Sequence, residues 1–518
     1  MFNCLKSKKL LLLSILVFIV AFLFRVYYIS QKAGLHMDEM LTVFISRGTV
    51  VEKLLSLHFD ENIYTGKEIK KNFFSNHKNS LFVDLSNLRK DNYNDDAHPS
   101  LYYSMFRIFT NGVDLTQENI IKYGCGLNLI FFTFSFFIMR KLLIRLFGDN
   151  KLVPIGLLVA FLNTGTVSMT LFVRPYEMQM LALIMISYAF VIFLEKNNSI
   201  KDYIFLIFSL VFTILSAYFL VVYIGILGIF LIIRYIKDKK YKPLIWLLVC
   251  FFVSFLISIT IYSGYFSFLK GDRFANVTDS NNSMLVELLK SFIYFLGNIV
   301  RYLYYLWVLL VIFIGSFFIK KDLKNSKEVV SLFYMCMLWT LLIAIYAPFN
   351  ILRYIAPAFP VLALGIVMLM NKMPEKQKNI FCCFVALIYV ICLVFPYKME
   401  ALDTKIGYKN DKFLKGGASI ENLFLDIKCE AFENPNYPVI IKSDFWGYPL
   451  FIISKLNDNQ KYMFVVDSKE VKHLPFDSDY YVFYDRSLKF SYNVQKDFKN
   501  KLLPSGRCYS FNTLRMSR

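Results

Sequence analysis

The stretch "KLLLLSILVFIVAFLFRVYYISQKAGLHMDEM", residues 9–40, decides how the rest of the chain is read. Its apolar run has the ~20 residues needed to cross the hydrocarbon core of a bilayer. His36, Asp38 and Glu39 follow almost at once. The run is too long and too polar at its ends for a cleaved signal peptide, and no small-residue cleavage site follows it. It reads as a first membrane span over about 9–29.

The remainder of the chain repeats that theme. The 518 residues are 57% hydrophobic and 18% aromatic, with a mean hydropathy of +0.48. Soluble domains are nearer ~45–50% apolar. Further spans are expected near 121–146, 152–172, 178–194, 203–218, 219–236, 243–265, 291–319, 329–347, 355–370 and 379–396. The expected fold class is therefore a polytopic α-helical membrane protein with about eleven transmembrane helices.

The net charge of +20 would suit a nucleic-acid binder, but its placement excludes that class. The basic residues crowd into short gaps between apolar runs: Lys6, Lys8 and Lys9; Arg140, Lys141 and Arg145; Lys196 and Lys201; Arg234, Lys237, Lys239, Lys240 and Lys242; Lys320 to Lys327; Lys372 to Lys378. Positive charge in short loops marks the cytoplasmic side. The expected location is a cell membrane, multi-pass, with the N-terminus cytoplasmic. An odd number of crossings puts the tail outside. "HPSLYYSMFRIFTNG", residues 98–112, is apolar but short. Counting it as a span would turn the Arg140 cluster outward, so it reads as half-buried on the outer face.

Two modules follow: a transmembrane module over 1–396, with a first outer loop at 30–120, and an extracytoplasmic domain over 397–518. In the loop, "MLTVFISRGTVVEKLLSLHF" (40–59) sets Leu41, Phe44, Ile45, Val51, Leu54 and Leu55 at near-helical spacing. That helix either lies on the membrane surface or packs on neighbouring spans. A second outer loop, 264–290, holds the flexible-looking "GDRFANVTDSNNS". The tail carries strand-like "PVIIKSD", "YMFVVDS" and "YYVFYDRS" beside a helical pattern at Ile420, Leu423, Phe424 and Ile427, which predicts a small C-terminal α/β domain. Six of the nine cysteines fall in spans, as small apolar residues. Cys429 and Cys508 share the tail, which permits one disulfide. No CxxC, HExxH, GxGxxG or P-loop occurs.

Ionisable groups at membrane depth are functional candidates. Beside His36, Asp38 and Glu39, the outer side collects "DDAHPSLYY" (Asp95, Asp96, His98, Tyr102, Tyr103), "FVRPYEMQ" (Arg174, Tyr176, Glu177) and "NILRYIAPAFP" (Asn350, Arg353, Tyr354). By the alternation of spans all four patches face one compartment. An acidic pair after the first span, an HPxLYY segment, an outer RPYE and a late RYxxPxxP resemble the membrane glycosyltransferases of the GT-C class. The nearest branch includes the protein O-mannosyltransferases and the aminoarabinose transferases acting on lipid A. The resemblance covers about residues 1–375, and departs from the family in "HPS", where a second proline is usual.

The resemblance implies a many-span enzyme that moves a hexosyl or pentosyl unit from a polyprenyl-phosphate donor to a glycan, glycolipid or protein acceptor on the outer face. It implies Asp38 as base, with Arg174 or Arg353 on the phosphate. His36, His98, Tyr102, Tyr103, Tyr176, Glu177 and Tyr354 are the further substrate-binding candidates. Glu39, the second catalytic candidate, would orient the acceptor, hold Arg174 or help bind a divalent cation. No metal ligands are assigned. The chemistry suits these residue types on its own terms. A phosphate leaving group needs no general acid. Proton transfer to a carboxylate suffices when it comes late in an oxocarbenium-like transition state, and arginine's planar fork matches phosphate.

Structural roles compete at each position. Asp38 could cap a helix beginning at Met40, His98 could shape the turn into Pro99, and Arg353 could snorkel to the interface. Arg174 is harder to dismiss, because an outer-side arginine runs against the positive-inside trend. Two other function classes remain. A secondary transporter should show broken helices and an internal repeat, neither of which is legible in the sequence. A membrane polysaccharide polymerase or ligase would carry its large charged loop late in the chain.

Overall fold

A computed structural model describes residues 2–30, 32, 35, 37–47, 62–74, 79–90, 99–194, 198–266, 326–346, 352–394, 435–443, 453, 456–466, 480–485, 502–508 and 511–516. The expected span at 291–319, the second outer loop from 267 onward, the tail helix near 420–427, and His36, Asp95, Asp96, His98 and Cys429 lie outside the described residues. The chain divides into two compact units.

The first unit comprises Met1–Tyr28, Arg89–Tyr102 and Cys125–Asp403. It is helical and membrane-embedded in character. Among the described residues, five helices are long and apolar enough to cross a membrane: α1 (Phe2–Ser30, apolar from Lys8), α6 (Gln117–Phe147), α9 (Tyr176–Leu194), α11 (Tyr218–Lys237) and α12 (Tyr241–Ile261). α7 (Leu152–Phe161), α8 (Thr164–Leu171), α10 (Ile200–Ser216), α13 (Ser326–Tyr346), α14 (Phe359–Lys372) and α15 (Glu375–Val394) complete the set.

Burial follows the apolar pattern. α9 is apolar nearly all round, and 18 of its 19 residues are buried, as expected of a helix inside a bundle. α10, α11 and α14 pack against it. On α12 only four residues are buried, so most of its apolar surface is left for lipid. α13 and α14 approach closely at Gly365, where a methyl group would come within 2.6 Å of Phe333 Cε2.

Residues 152–172 differ from the single span expected of them. α7 and α8 are bent by 57° relative to one another. The physical cause is Asn163, whose side chain accepts from the Thr166 N–H at 2.9 Å and donates to the carbonyls of Val159 and Ala160 at 3.1 and 3.0 Å. One amide thus closes α7 and opens α8. The long apolar run around it hides the break from hydropathy.

The second unit comprises Ile29–Leu88, Tyr103–Gly124 and Thr404–Arg518. It holds α2 (Met37–Ser46), β1 (Ile63–Thr65), α3 (Gly66–Phe74), most of α4 (Leu81–Lys90), α5 (Leu101–Phe109) from Tyr103 onward, and α6 up to Gly124. β2 (Val439–Ser443), β3 (Lys461–Val466), β4 (Tyr480–Asp485), β5 (Leu502–Cys508) and β6 (Phe511–Met516) follow. The strand-like pieces of the tail form β2, β3 and β4. A six-stranded sheet runs in the order β1-β3-β2-β4-β6-β5. β2 pairs parallel with β3 and β4, and the other pairings are antiparallel. One edge, β1, comes from the first loop and registers Ile63 against Met463. Its exit is pinned where the Gly66 N–H donates to the Gln460 carbonyl at 3.0 Å. A methyl group on Gly66 would lie 2.1 Å from the Asn457 carbonyl oxygen, so the contact needs glycine.

In α2, Leu41, Phe44 and Ile45 are buried, which favours packing over lying on a membrane surface for this part of the expected 40–59 helix. α5 has nine residues, about 14 Å at 1.5 Å per residue. That is too short to cross a bilayer on its own.

Candidate active site

In the first unit, three of the sequence motifs meet at the C-terminal end of α8. Asn128, fully buried on α6, is the hub. Its side-chain oxygen accepts from the Tyr102 hydroxyl of the HPSLYY segment at 3.1 Å. Its amide donates to the carbonyls of Phe172 and Thr170 at 2.7 and 3.2 Å. The last carbonyls of a helix lack intrahelical partners, and one asparagine side chain supplies two of them here. The Cys125 thiol adds a contact to the Leu171 carbonyl at 3.5 Å.

The RPYE motif begins just beyond. The Arg174 N–H turns back to the Phe172 carbonyl at 2.7 Å, a tight three-residue turn that ends α8 and launches α9. Arg174 and Tyr176 are buried. The Tyr176 ring stacks on Phe172 with centroids 5.9 Å apart and meets Tyr354 edge-on at 6.4 Å. RPYE and RYxxP are therefore neighbours. Short 3-10 turns at Leu352–Tyr354 and Ala356–Ala358 carry the latter, Arg353 is half-buried beside Tyr354, and Phe219 closes the far side of Tyr354 at 5.7 Å.

Glu177 is fully buried. Its Oε2 accepts from the Thr170 hydroxyl at 2.9 Å. That hydroxyl in turn accepts from Arg25 Nε at 2.9 Å. Arg25 lies inside α1, fully buried, with its guanidinium 3.8 Å from the centre of the Phe132 ring and Nη1 donating to the Ala21 carbonyl at 3.2 Å. Arg25–Thr170–Glu177 forms one buried chain from α1 to the RPYE motif. The sequence reading missed Arg25, although a lone arginine in an apolar span was the signal to follow.

In the second unit the acidic pair divides. α2 starts at Met37, so Asp38 and Glu39 both lie in its first turn. Asp38 is therefore not the residue ahead of the helix that a capping role calls for. Glu39 is fully buried and accepts from Lys32 Nζ at 2.5 Å. Asp38 keeps 8% exposure. Tyr103 is buried.

A second buried pair lies in the same unit. Arg107 Nε donates to Asp84 Oδ2 at 2.7 Å, and Asn79 donates to the other carboxylate oxygen at 3.1 Å. Burial pulls the Arg47 guanidinium down to about 10, against the opposing pull of Asp84 and with the repulsion of Arg107. Among the described residues no group of three or more His, Cys, Asp or Glu is placed to hold a metal ion.

No family model and no curated protein matches the sequence. Solved structures do. ArnT from Cupriavidus metallidurans in the apo state superposes with a TM-score of 0.52 at 9% identity over 98% of both chains. At the level of fold, the chain is similar to ArnT. ArnT bound to undecaprenyl phosphate gives 0.49 at 10% identity over 97% of both chains. The Archaeoglobus fulgidus oligosaccharyltransferase in complex with Zn and sulfate gives 0.46 at 12% identity, over 87% of this chain and 62% of that one. The GT-C resemblance drawn from the motifs holds at the level of fold.

Proposed function

We propose that the chain is a membrane glycosyltransferase moving a sugar from a polyprenyl-phosphate donor to an acceptor on the extracytoplasmic face. The observation that carries this reading is the meeting of HPSLYY, RPYE and RYxxP around residues 169–177 and Tyr354, in a fold similar to that of ArnT. Undecaprenyl phosphate, with which ArnT has been solved, is of the donor's lipid class. The eleven crossings, the division at 396/397, the cytoplasmic N-terminus and the outward-facing tail belong to the same proposal.

In the proposed reaction the acceptor oxygen bonds to the anomeric carbon as its bond to the phosphate oxygen breaks. The bonding pair leaves with the phosphate, and the hydroxyl proton passes to Asp38. Arg174 and Arg353 take the phosphate charge. Tyr176 and Tyr354 shape the donor site, while Tyr102 and Glu177, already bonded to Asn128 and Thr170, position it. His36, His98 and Tyr103 are assigned to acceptor binding. Glu39, held by Lys32, orients the helix that presents Asp38.

The test is Asp38→Asn. Asparagine keeps the size and polarity of the side chain in the first turn of α2, so a purely structural role predicts near-normal transfer. A base predicts a loss of ~100-fold or more, with the protein folded and still binding the lipid phosphate. Most activity surviving in Asp38→Asn defeats the assignment. The break at Asn163 is a feature that a secondary transporter would share. Uptake of a solute into vesicles with no lipid-linked donor present would favour transport instead.

A further inference from the structure

A cavity of about 630 Å³ opens between the N-terminal halves of α10 and α12, within the ~300–1,000 Å³ range of small-molecule sites. Its walls are the facing stripes of the two helices. α10 supplies Ile200, Tyr203, Ile204 and Ile207, and α12 supplies Lys242, Trp246 and Cys250. Both sets follow the three- and four-residue spacing that puts side chains on one helix face. Asn198 and Lys242 line the cavity at the starts of the two helices, and most of the remaining lining is apolar. Trp246 and Tyr203 line the same cavity, their rings 6.0 Å apart. The cavity is open sideways to the bilayer, since Ile204 is 60% and Trp246 48% exposed.

The charge around the mouth is one-sided. Arg234, Lys237, Lys239, Lys240 and Lys242 fall within nine residues. The nearby anions are already engaged: Asp202 accepts from the Ser199 N–H and hydroxyl at 2.7 and 2.8 Å, Asp238 pairs with Lys240 at 3.5 Å, and Glu328 lies 3.9 Å from Arg234. Among the described residues Lys242 makes no ion pair. α12 also begins without a side-chain cap, so its positive end adds to the attraction for an anion. A basic mouth above an apolar slot that opens to lipid matches a bilayer phospholipid with an anionic headgroup. The site is not the RPYE region. Phe193, at the far end of α9 from Tyr176, packs on Tyr203 at 5.2 Å, and the 19 residues of α9 span about 28 Å.

We propose that this cavity binds an anionic diacyl phospholipid of the surrounding membrane, its headgroup phosphate on Lys242 and an acyl chain along Ile204 and Trp246. The proposal rests on the membrane-embedded fold and not on the reaction proposed above. The full chain reconstituted in phosphatidylcholine vesicles tests it, with tryptophan fluorescence quenched by brominated-acyl phosphatidylglycerol or brominated-acyl phosphatidylcholine. Trp246→Phe isolates the Trp246 signal. One lysine near a surface favours an anionic lipid about fivefold. Phosphatidylglycerol should therefore quench Trp246 at about one fifth the mole fraction of phosphatidylcholine. Lys242→Gln should bring the ratio near one, and Lys239→Gln, on the turn outside the cavity, should keep most of the preference. Equal quenching by both lipids overturns the proposal, as does an equal loss in Lys239→Gln, which would mean diffuse surface attraction only. Displacement of the brominated lipid by undecaprenyl phosphate and not by phosphatidylglycerol would make the cavity a carrier-lipid site and overturn it too.

Discussion

Thr170→Val is the sharpest perturbation of the helical unit. The hydroxyl stands between two buried ionisable side chains, 2.9 Å from Arg25 Nε and 2.9 Å from Glu177 Oε2, and valine keeps its shape while removing both bonds. Hydrogen bonds to charged groups contribute about 1.5–3 kcal/mol each. Among the described residues Glu177 Oε1 has no hydrogen-bond partner, so loss of the Thr170 bond strips the carboxylate further in a setting where burial is costly. The expected destabilisation is about 2–5 kcal/mol from the two lost bonds. Thermal unfolding in detergent, followed by tryptophan fluorescence, would measure it. The decisive comparison is Thr170→Val in an Arg25→Met/Glu177→Met background, where no charge remains to be bridged. There its cost should fall below about 1 kcal/mol, because both partners of the hydroxyl are gone, and the difference between backgrounds measures the coupling. An equal cost in both backgrounds would refute the bridge.

Other outcomes follow from the second unit and from sidedness. Asp84→Asn leaves the Arg107 guanidinium buried beside a neutral group and should cost about 3–5 kcal/mol of stability in the same melt. Glu39→Gln should lower stability and transfer together because it strands Lys32, and Lys32→Met/Glu39→Met should recover both. A double variant that regains stability but not transfer would return Glu39 to the chemistry. Cysteines placed at the exposed Lys67 and Asn459 should react with an impermeant maleimide on intact cells. Labelling only after lysis would overturn the outward orientation of this unit.

Legibility in the sequence varied with the range of the forces involved. α9, α11 and α12 were readable within one or two residues at most boundaries because a spanning helix satisfies its own backbone and needs only a long apolar run. β2, β3 and β4 were readable from runs of β-branched and aromatic residues. β1 was not: it has three residues, and its partner β3 lies almost four hundred positions away. β5 carries Pro504 and Gly506 with an irregularity between them, which a sheet tolerates at an edge but which reads as a loop. The motifs were legible, but their contacts were not. Asn128, which joins Tyr102 to the end of α8, is one polar residue in an apolar helix and carries no pattern of its own.

The acidic pair behind the first span illustrates why adjacency in sequence misleads. Consecutive positions on a helix point about 100° apart. Once α2 begins at Met37, Asp38 and Glu39 point in different directions. Glu39 turns to the core and is neutralised by Lys32 at 2.5 Å, a pair whose worth lies mostly in the cost of breaking it. Asp38, one step round the helix, is the member of the pair with surface left exposed. The positive end of a helix favours negative charge in its first turn, and in the proposed reaction Asp38 is the residue that accepts the late proton. The neighbouring ion pair then holds the helix in place, and the catalytic proposal for Asp38 depends on Glu39 without requiring Glu39 to touch the substrate.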